Sequence, residues 1–432
     1  MPDESSEPSG TLTPAGYRTR IADPLIAERL RAVGAVLIEG PKGCGKTWTG
    51  LNHARSALRF DADSSARRLA DLSPDAVLEG NAPRLLDEWQ LAPQIWNHVR
   101  HACDHSAEPG RFLLTGSAAA ADDVTRHSGA GRIARTRLRP MSLFESGASR
   151  GHVSLAALLD SEPVSSGQTD LEFRDVLDAM CAGGWPWLTA VEPAEAQRRL
   201  REYVDDIRHT AIDLGTERSR NPVLMERFFL SLARHTASTT PNSRLAADAG
   251  GESPLNHQTA RAYLDTLHQL FVAEDLPAWS THLRSRARLV KSPKRHFVDP
   301  SLAAAALRAS PQGLLTDLET CGFLFESMAV RDLRVYADAA ECDVFHSRLG
   351  NGSEADAIIQ RRFSGEWIAV EVKLSHSPET TDRAADSLHR FVENIDAARI
   401  GNPAALVVIT ATGYAYTRPD GVIVAPIAAL GP

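Results

Sequence analysis

Eight consecutive residues, Gly40-Pro41-Lys42-Gly43-Cys44-Gly45-Lys46-Thr47, have the composition of a phosphate cradle. They satisfy the P-loop pattern Gly-x-x-x-x-Gly-Lys-Thr in full. The short apolar run Ala35-Val36-Leu37-Ile38 precedes them and a helix-capable stretch follows. Glycines let successive backbone N–H groups turn inward around a β-phosphate, helped by the positive end of the following helix. Lys46 is then placed to reach the β- and γ-phosphates, and the Thr47 hydroxyl to ligate Mg²⁺. The expected ligand is ATP with Mg²⁺.

A cradle becomes a hydrolase when carboxylates join it. Leu85-Leu86-Asp87-Glu88 offers two at the end of an apolar run, Asp87 to hold Mg²⁺ through water and Glu88 to polarise the attacking water. Adjacent carboxylates argue for hydrolysis over transfer to a small acceptor. A third strand, ending Phe112-Leu113-Leu114-Thr115-Gly116-Ser117, could bring Thr115 to sense the γ-phosphate. Arg132 follows it and could stabilise charge on that phosphate, in cis or from a neighbouring subunit; Arg126, Arg135, Arg137 and Arg139 compete for the role.

A second constellation lies near the end of the chain. Glu326 sits on a helical pattern, Asp356 near a strand, and Glu371-Val372-Lys373 closes the strand candidate Trp367–Val372. Phosphodiester cleavage needs carboxylates at adjacent strand ends to hold Mg²⁺ or Mn²⁺, here Asp356 and Glu371. It also needs a lysine to assist the attacking water. Glu371 and Lys373, two apart, project from one face of their strand. Three readings share these residues: a metal-dependent nuclease, a nuclease fold that binds nucleic acid or a partner without cutting, and a structural strand of charged residues.

These groups need elements to hold them. Apolar runs at Ala35–Ile38, Ser56–Phe60, Arg84–Leu86 and Arg111–Leu114 alternate with helix-length stretches, as in a parallel α/β sheet, and define a nucleotide-binding domain over 21–145. Residues 146–215 read as a helical connector. Residues 216–293 carry three amphipathic helical patterns and then a basic segment (Arg284, Arg286, Arg288, Lys291, with Lys294 and Arg295 beyond). That order suggests a winged helix whose Asn256, His257, Gln258, Thr259 and Arg261 face bases or phosphates. The same segment would equally serve as a lid or protein contact. His257 and His268 lack metal-ligating companions. Residues 294–432 form a second α/β domain, with strand candidates Asp343–Phe345, Ala355–Ile359, Trp367–Val372 and Ala405–Ile409.

Composition bounds the rest. A chain of 432 residues is long for one core, and a formal charge of -8 confines any nucleic-acid contact to local patches. The five cysteines are scattered, without zinc-ligand spacing, and read as reduced thiols. Residues 1–20 begin acidic and Ser/Pro/Gly-rich and read as a disordered leader. No apolar run approaches the roughly 20 residues that span a bilayer. A cytoplasmic protein without membrane contact is expected.

The order of motifs resembles the prokaryotic AAA-type ATPases that carry a conserved C-terminal domain of unknown function. It rests on the P-loop, Leu85-Leu86-Asp87-Glu88-x-Gln90, Leu114-Thr115-Gly116-Ser117, Gly131-Arg132 and Arg139-Pro140-Met141-Ser142-Leu143-Phe144-Glu145. It continues in Lys291-Ser292-Pro293-Lys294-Arg295-His296-Phe297-Val298-Asp299-Pro300 and Gly322-Phe323-Leu324-Phe325-Glu326. The resemblance implies an AAA-like α/β core, a winged helix and a restriction-endonuclease-like C-terminal α/β domain of PD-(D/E)xK type. Glu326, Asp356, Glu371 and Lys373 would be its site residues. Two functions follow: ATP hydrolysis coupled to work on DNA or RNA, or a nucleotide-controlled switch acting on a protein partner, DNA or a second copy of the chain.

Overall fold

The computed structural model describes residues 10–106, 108–117, 129–214, 221–251, 253–280 and 291–432. Arg126 and the basic residues Arg284, Arg286 and Arg288 lie outside them, as do residues 1–9 of the expected leader. Two units emerge, Met1–Leu138 and Arg139–Pro432.

In the first unit five strands, β1 (Ala35–Glu39), β2 (Ser56–Arg59), β3 (Arg84–Asp87), β4 (Phe112–Gly116) and β5 (Ile133–Arg137), pair in parallel in the order β2-β3-β4-β1-β5. The four apolar runs of the sequence fall on β1 to β4; β1 and β4, buried inside the sheet, read as continuous hydrophobic stretches, whereas β2 at the edge is only half-buried. One core joins Leu37, Leu86, Phe112 and Leu114 to Trp89, Trp96 and Val99. The order sets β4 between the P-loop strand and the acidic strand, so all three end at one edge of the sheet, where α/β folds bind ligands.

Residues 10–20 are not the loose leader that their neighbours' composition suggests. Leu12 N–H donates to the Ala54 carbonyl at 3.0 Å, and Thr13 Oγ1 to Asn52 Oδ1 at 3.1 Å. Tyr17 Oη donates to Asp23 at 2.9 Å, and the buried Arg20 guanidinium donates to the Cys44 carbonyl at 2.9 Å. The segment thus straps the helix Lys46–His53 and braces the P-loop from behind. Composition could not show this, since two side chains, Tyr17 and Arg20, do most of the anchoring.

In the second unit a seven-stranded mixed sheet runs β7 (Gly167–Gln168), β12 (Tyr414–Thr417), β13 (Ile423–Pro426), β11 (Ala405–Thr410), β10 (Trp367–Lys373), β9 (Glu354–Arg361) and β8 (Cys342–Arg348). The strands β8, β9 and β10 pair antiparallel, and β10, β11 and β13 pair in parallel. Alternation along β10 sends Trp367 and Ala369 into a core with Leu388 and Phe391 of the helix Pro378–Glu393. Ile368 and Val370 line a small apolar cavity with Leu333 and Tyr336 of the helix Leu318–Ala339. The expected helical connector is only partly helical. Residues Gly167–Gln168 are β7, an edge strand of the seven-stranded sheet, and β6 (Val153–Ser154) pairs with β14 (Leu430–Gly431) in a separate two-stranded sheet. Strands of two residues leave no periodicity to read.

The remaining helices, Phe173–Ala182, Pro193–Leu214, Pro222–Arg234, Asn242–Gly250 and His257–Gln269, pack together with Pro300–Ala306. Antiparallel bridges Ala273↔Phe297 and Leu276↔Lys294 follow them. A charged network lies beneath. Arg331 donates to Asp299 at 2.8 Å and to Asp332 at 2.7 Å, and all three are at most 3% exposed. Asp299 also accepts from the N–H groups of Gly184 and Ser301, and Asp332 from that of Leu143.

Candidate functional site

The P-loop lies between β1 and the helix Lys46–His53. Gly43 and Gly45 take positive φ of 79° and 105°, a region open to glycine and costly for other residues. Gly40 is required for a different reason: a Cβ there would meet the Leu138 carbonyl oxygen at 2.0 Å. Cys44 is buried with its thiol on the same carbonyl, and Arg20 holds its own carbonyl oxygen. The loop is therefore fixed from both sides. Lys46, 3% exposed, donates from Nζ to the Pro41 carbonyl at 2.8 Å, folding its ammonium over the loop where phosphate oxygens would sit.

Asp87 ends β3 fully buried. Its Oδ1 accepts from the Thr47 hydroxyl at 2.9 Å and from the Thr115 hydroxyl at 2.5 Å. Arg59, opposite Asp87 in the β2–β3 register, approaches Oδ2 at 3.5 Å. Burial raises the Asp87 pKa, while the hydrogen bonds from Thr115 and Thr47 oppose that rise. A hydroxyl and a carboxylate are the hard oxygen donors Mg²⁺ accepts beside phosphates and waters. Thr47 and Asp87 therefore fit the metal, and Gly40, Gly43 and Gly45 leave a cradle free of side chains.

Thr115 does more than the sequence suggests, because its oxygen also accepts the Glu88 N–H at 3.0 Å. That bond holds Glu88 in the left-handed region at φ 54°, a strained conformation of the kind that collects at functional sites. The Glu88 carboxylate accepts from Ser117 Oγ at 2.9 Å and from Gln90 Nε2. Gln90 and Ser117 appear in the sequence motifs without an assigned task; here they aim the glutamate. Thr115→Val keeps the shape but leaves the Glu88 N–H without its acceptor. A buried donor so orphaned costs about 1–3 kcal/mol, readable as a lower midpoint of thermal unfolding. An unchanged midpoint would show that the hydroxyl holds nothing.

Arg132 is not brought to this site. Ile133 pairs with Ala35 and Arg137 with Glu39, so Arg132 precedes β5 at the edge of the sheet away from the P-loop, about 16 Å of strand distant at 3.3 Å per residue. Its guanidinium pairs with Asp104 at 2.6 Å. A cis role at the γ-phosphate is thereby removed. The arginines at the correct end of β5 are Arg135 and Arg137, both facing Glu39.

In the second unit Glu326, Asp356, Glu371 and Lys373 do converge, around a residue not counted among them. Lys294 Nζ lies 2.6 Å from Glu326, 3.0 Å from Asp356 and 3.4 Å from Glu354, with its side chain 4% exposed. Its backbone is pinned by two bonds to Leu276, at 2.9 and 2.8 Å. Lys294 and Arg295 were expected as phosphate contacts of a wing; both are buried, and Arg295 pairs with Asp275. Lys373 donates to Glu371 at 2.8 Å, and the Val372 N–H donates to Asp356 at 2.9 Å. Among the described residues the second oxygen of Glu371 has no hydrogen-bond partner.

Charge explains the protonation of this cluster. Two ammonium groups face the buried acids Glu326, Asp356 and Glu371, with Glu354 at the margin. Burial would raise Asp356, but Lys294 and Lys373 outweigh it and hold its pKa below the usual value. Glu326 is pushed up to about 8, chiefly by burial and then by Asp356, and Glu371 to about 7 for the same reasons. A carboxyl raised in the folded chain binds a proton that the unfolded chain has already lost, so its stabilisation is complete below about 4.5 and disappears as pH rises toward 8. The unfolding transition of this unit is expected to fall between pH 5 and 8, and less steeply in Glu326→Gln. An equal slope in the variant would remove Glu326 as the cause.

The metal expected here does not fit. Among the described residues no three His, Cys, Asp or Glu side chains are arranged to hold a metal ion, and an ammonium stands among the carboxylates instead.

Comparison with known proteins bears on both units. Residues 33–146 match the AAA domain family. This stretch is similar to AAA-type P-loop domains, which supports a P-loop nucleotide-binding fold here. Downstream of the AAA domain, residues 173–313 match a domain of unknown function (DUF8612) and residues 321–430 another (DUF4143). The second match coincides with the conserved C-terminal domain that the motif order implied; its nuclease-like character rests on no match. Uncharacterised proteins of Mycobacterium tuberculosis and Mycobacterium bovis are each 25% identical over 383 residues, 87% of this chain and 78% of theirs. The solved Walker-type ATPase of Pyrococcus abyssi aligns at 13% identity with a TM-score of 0.44, covering 70% of this chain and 99% of that one. Among the described residues no helix is long and apolar enough to cross a membrane.

Proposed function

We propose that the AAA domain binds ATP with Mg²⁺ and hydrolyses it. The observation that carries this reading is the convergence of Thr47, Asp87 and Thr115 through hydrogen bonds of 2.5–2.9 Å at the start of the helix Lys46–His53 and the ends of β3 and β4, beside the Lys46 ammonium. Bound Mg²⁺, which Thr47 and Asp87 would hold, would supply neutralisation of the phosphate charge. The chain does the rest. Lys46 exchanges its carbonyl partner for phosphate oxygen, and Thr47 and Asp87 hold the metal. Glu88, aimed by Ser117 and Gln90, accepts a proton from the attacking water. Arg132 remains available to a neighbouring copy only.

Of the two outputs weighed for hydrolysis, the switch is favoured by a specific observation. Lys294 fills the carboxylate cluster that cleavage chemistry would need for a metal. The C-terminal unit then acts by binding DNA, RNA, a protein partner or a second copy, and the ATP state governs that association. The three helices ending at Gln269, read as a winged helix, present His257, Gln258 and Arg261 at an exposed helix start suited to such contact. The test combines purified protein, Mg²⁺ or Mn²⁺, ATP and assorted DNA and RNA, with Lys46→Ala and Lys373→Ala beside the wild type. ATP hydrolysis is expected in the wild type and Lys373→Ala, lost in Lys46→Ala, with the nucleic acids intact throughout. Cleavage by the wild type that disappears in Lys373→Ala would restore the nuclease.

A further inference from the structure

We infer that the base of the bound nucleotide stacks on Trp48, and that the site thereby selects purine over pyrimidine nucleoside triphosphates without singling out adenine. This specificity rests on the nucleotide-binding reading of the P-loop. Of the seven tryptophans, Trp89, Trp96, Trp185, Trp279 and Trp367 are at most 4% exposed, whereas Trp48 is 47% exposed. It directly follows Thr47, whose hydroxyl donates to Asp87, and it stands in the first turn of the helix Lys46–His53. A single exposed apolar residue needs no explanation in itself. Here its place and its direction give it one.

The helix presents three faces, and the sheet and the preceding segment take two of them. Thr47 and Gly50, three apart, face the sheet: Thr47 reaches Asp87 on β3, and a Cβ on Gly50 would meet Leu85 at 2.8 Å and Thr115 at 3.3 Å. Thr49 and His53, four apart, face the segment before β1. The Tyr17 hydroxyl donates to the buried Thr49 at 3.3 Å, and His53 meets Asp23 at 2.9 Å. Trp48 and Asn52, again four apart, form the third face. Asn52 accepts from Thr13, so the strap of residues 10–20 borders this face one turn beyond the indole. Helix side chains lean toward the N-terminus, so Trp48 extends toward the end of the helix that meets phosphate. With a β-phosphate in the cradle, the γ-phosphate lies on the side of Asp87 and Glu88, toward the sheet. The α-phosphate and nucleoside then leave away from the sheet, along the face that carries the indole. Stacking uses the flat face that every base presents and is strongest for the larger rings, so it holds adenine and guanine alike and pyrimidines less well.

The test measures dissociation constants for ATP, GTP, CTP and inorganic tripolyphosphate with Mg²⁺, by titration calorimetry on the full chain, in the wild type, Trp48→Ala and Trp48→Phe. Tripolyphosphate fills the cradle and offers no base. The wild type is expected to bind ATP and GTP within threefold of each other and CTP more weakly than either. Trp48→Ala is expected to lose about tenfold in affinity for ATP and GTP, within the range of a base–aromatic stack, while tripolyphosphate stays within twofold of the wild type. Trp48→Phe keeps an aromatic face and is expected to return ATP to within threefold of the wild type. Trp48 lies outside the core, and unchanged tripolyphosphate binding reports an intact cradle. ATP affinity within twofold of the wild type in Trp48→Ala overturns the inference and leaves the nucleotide-binding reading standing. An equal loss of ATP and tripolyphosphate does the same, because it makes Trp48 a support of the cradle. Phenylalanine no better than alanine overturns the stack. CTP bound as tightly as ATP, or GTP tenfold more weakly than ATP, overturns the purine selectivity. A wild type that binds neither ATP nor tripolyphosphate defeats the nucleotide-binding reading and the inference with it.

Discussion

Glu88→Gln is expected to slow ATP turnover by about 10²–10⁴-fold, the usual worth of a general base, while ATP affinity changes by only a few-fold. The reasoning is geometric. Glutamine keeps the size, the left-handed backbone held by Thr115 and a partner for Ser117, so the P-loop, Thr47 and Asp87 are undisturbed. Only the capacity to take a proton is lost. Such a variant should accumulate bound ATP, which nucleotide extraction and chromatography would detect. A variant that hydrolyses within threefold of the wild type would assign the proton transfer elsewhere. If affinity collapsed with the rate, Glu88 would be part of the cradle.

Arg331→Met is expected to destabilise the C-terminal unit by about 3–5 kcal/mol, because breaking a buried ion pair leaves its partners' charge uncompensated. Asp299 and Asp332 are both fully buried, and each also accepts from a backbone N–H of a distant segment, Gly184 for Asp299 and Leu143 for Asp332. Neither can swing out to water without releasing those segments. Protonation offers the only relief, so the loss should shrink at low pH. Urea unfolding followed by tryptophan fluorescence would read it, since Trp185 donates to Ser301 in the same network. A loss below 1 kcal/mol at pH 7 would mean that water or a neighbouring cation replaces the guanidinium.

The nucleotide site was largely legible because its parts are local. A P-loop packs cradle, lysine and metal-binding hydroxyl into eight residues, and the acid and the threonine each end an apolar run that can only be a strand. What the sequence could not show was direction and distance. Arg132 stands near Thr115 in order, yet β5 runs parallel to β1, so its start lies at the far edge of the sheet. Lys294 sits in a basic run that reads as solvated charge. The acids that claim it come from 32 and 62 residues away, where no local pattern connects them. Likewise β6, β7 and β14 are two residues long and exist because their partners are already placed. Tyr17 and Arg20 show the same limit at the other end, where two anchoring side chains outweigh the polar composition around them.

The C-terminal constellation illustrates why motif and site differ. Asp356, Glu371, Lys373 and Glu326 lie together, but the chemistry of their meeting point is set by a fifth residue. Its ammonium turns the acids from a claim on a metal into an ion-paired, partly protonated cluster, which favours nucleotide-controlled association over cleavage.

The central claim, that the AAA domain hydrolyses ATP at the Lys46–Thr47–Asp87–Glu88 centre, is tested most directly by phosphate release from Mg·ATP in the wild type and Asp87→Ala. The account predicts steady, Mg²⁺-dependent release by the wild type that falls to background in Asp87→Ala. No release by the wild type above buffer, or equal release by both proteins, would contradict it.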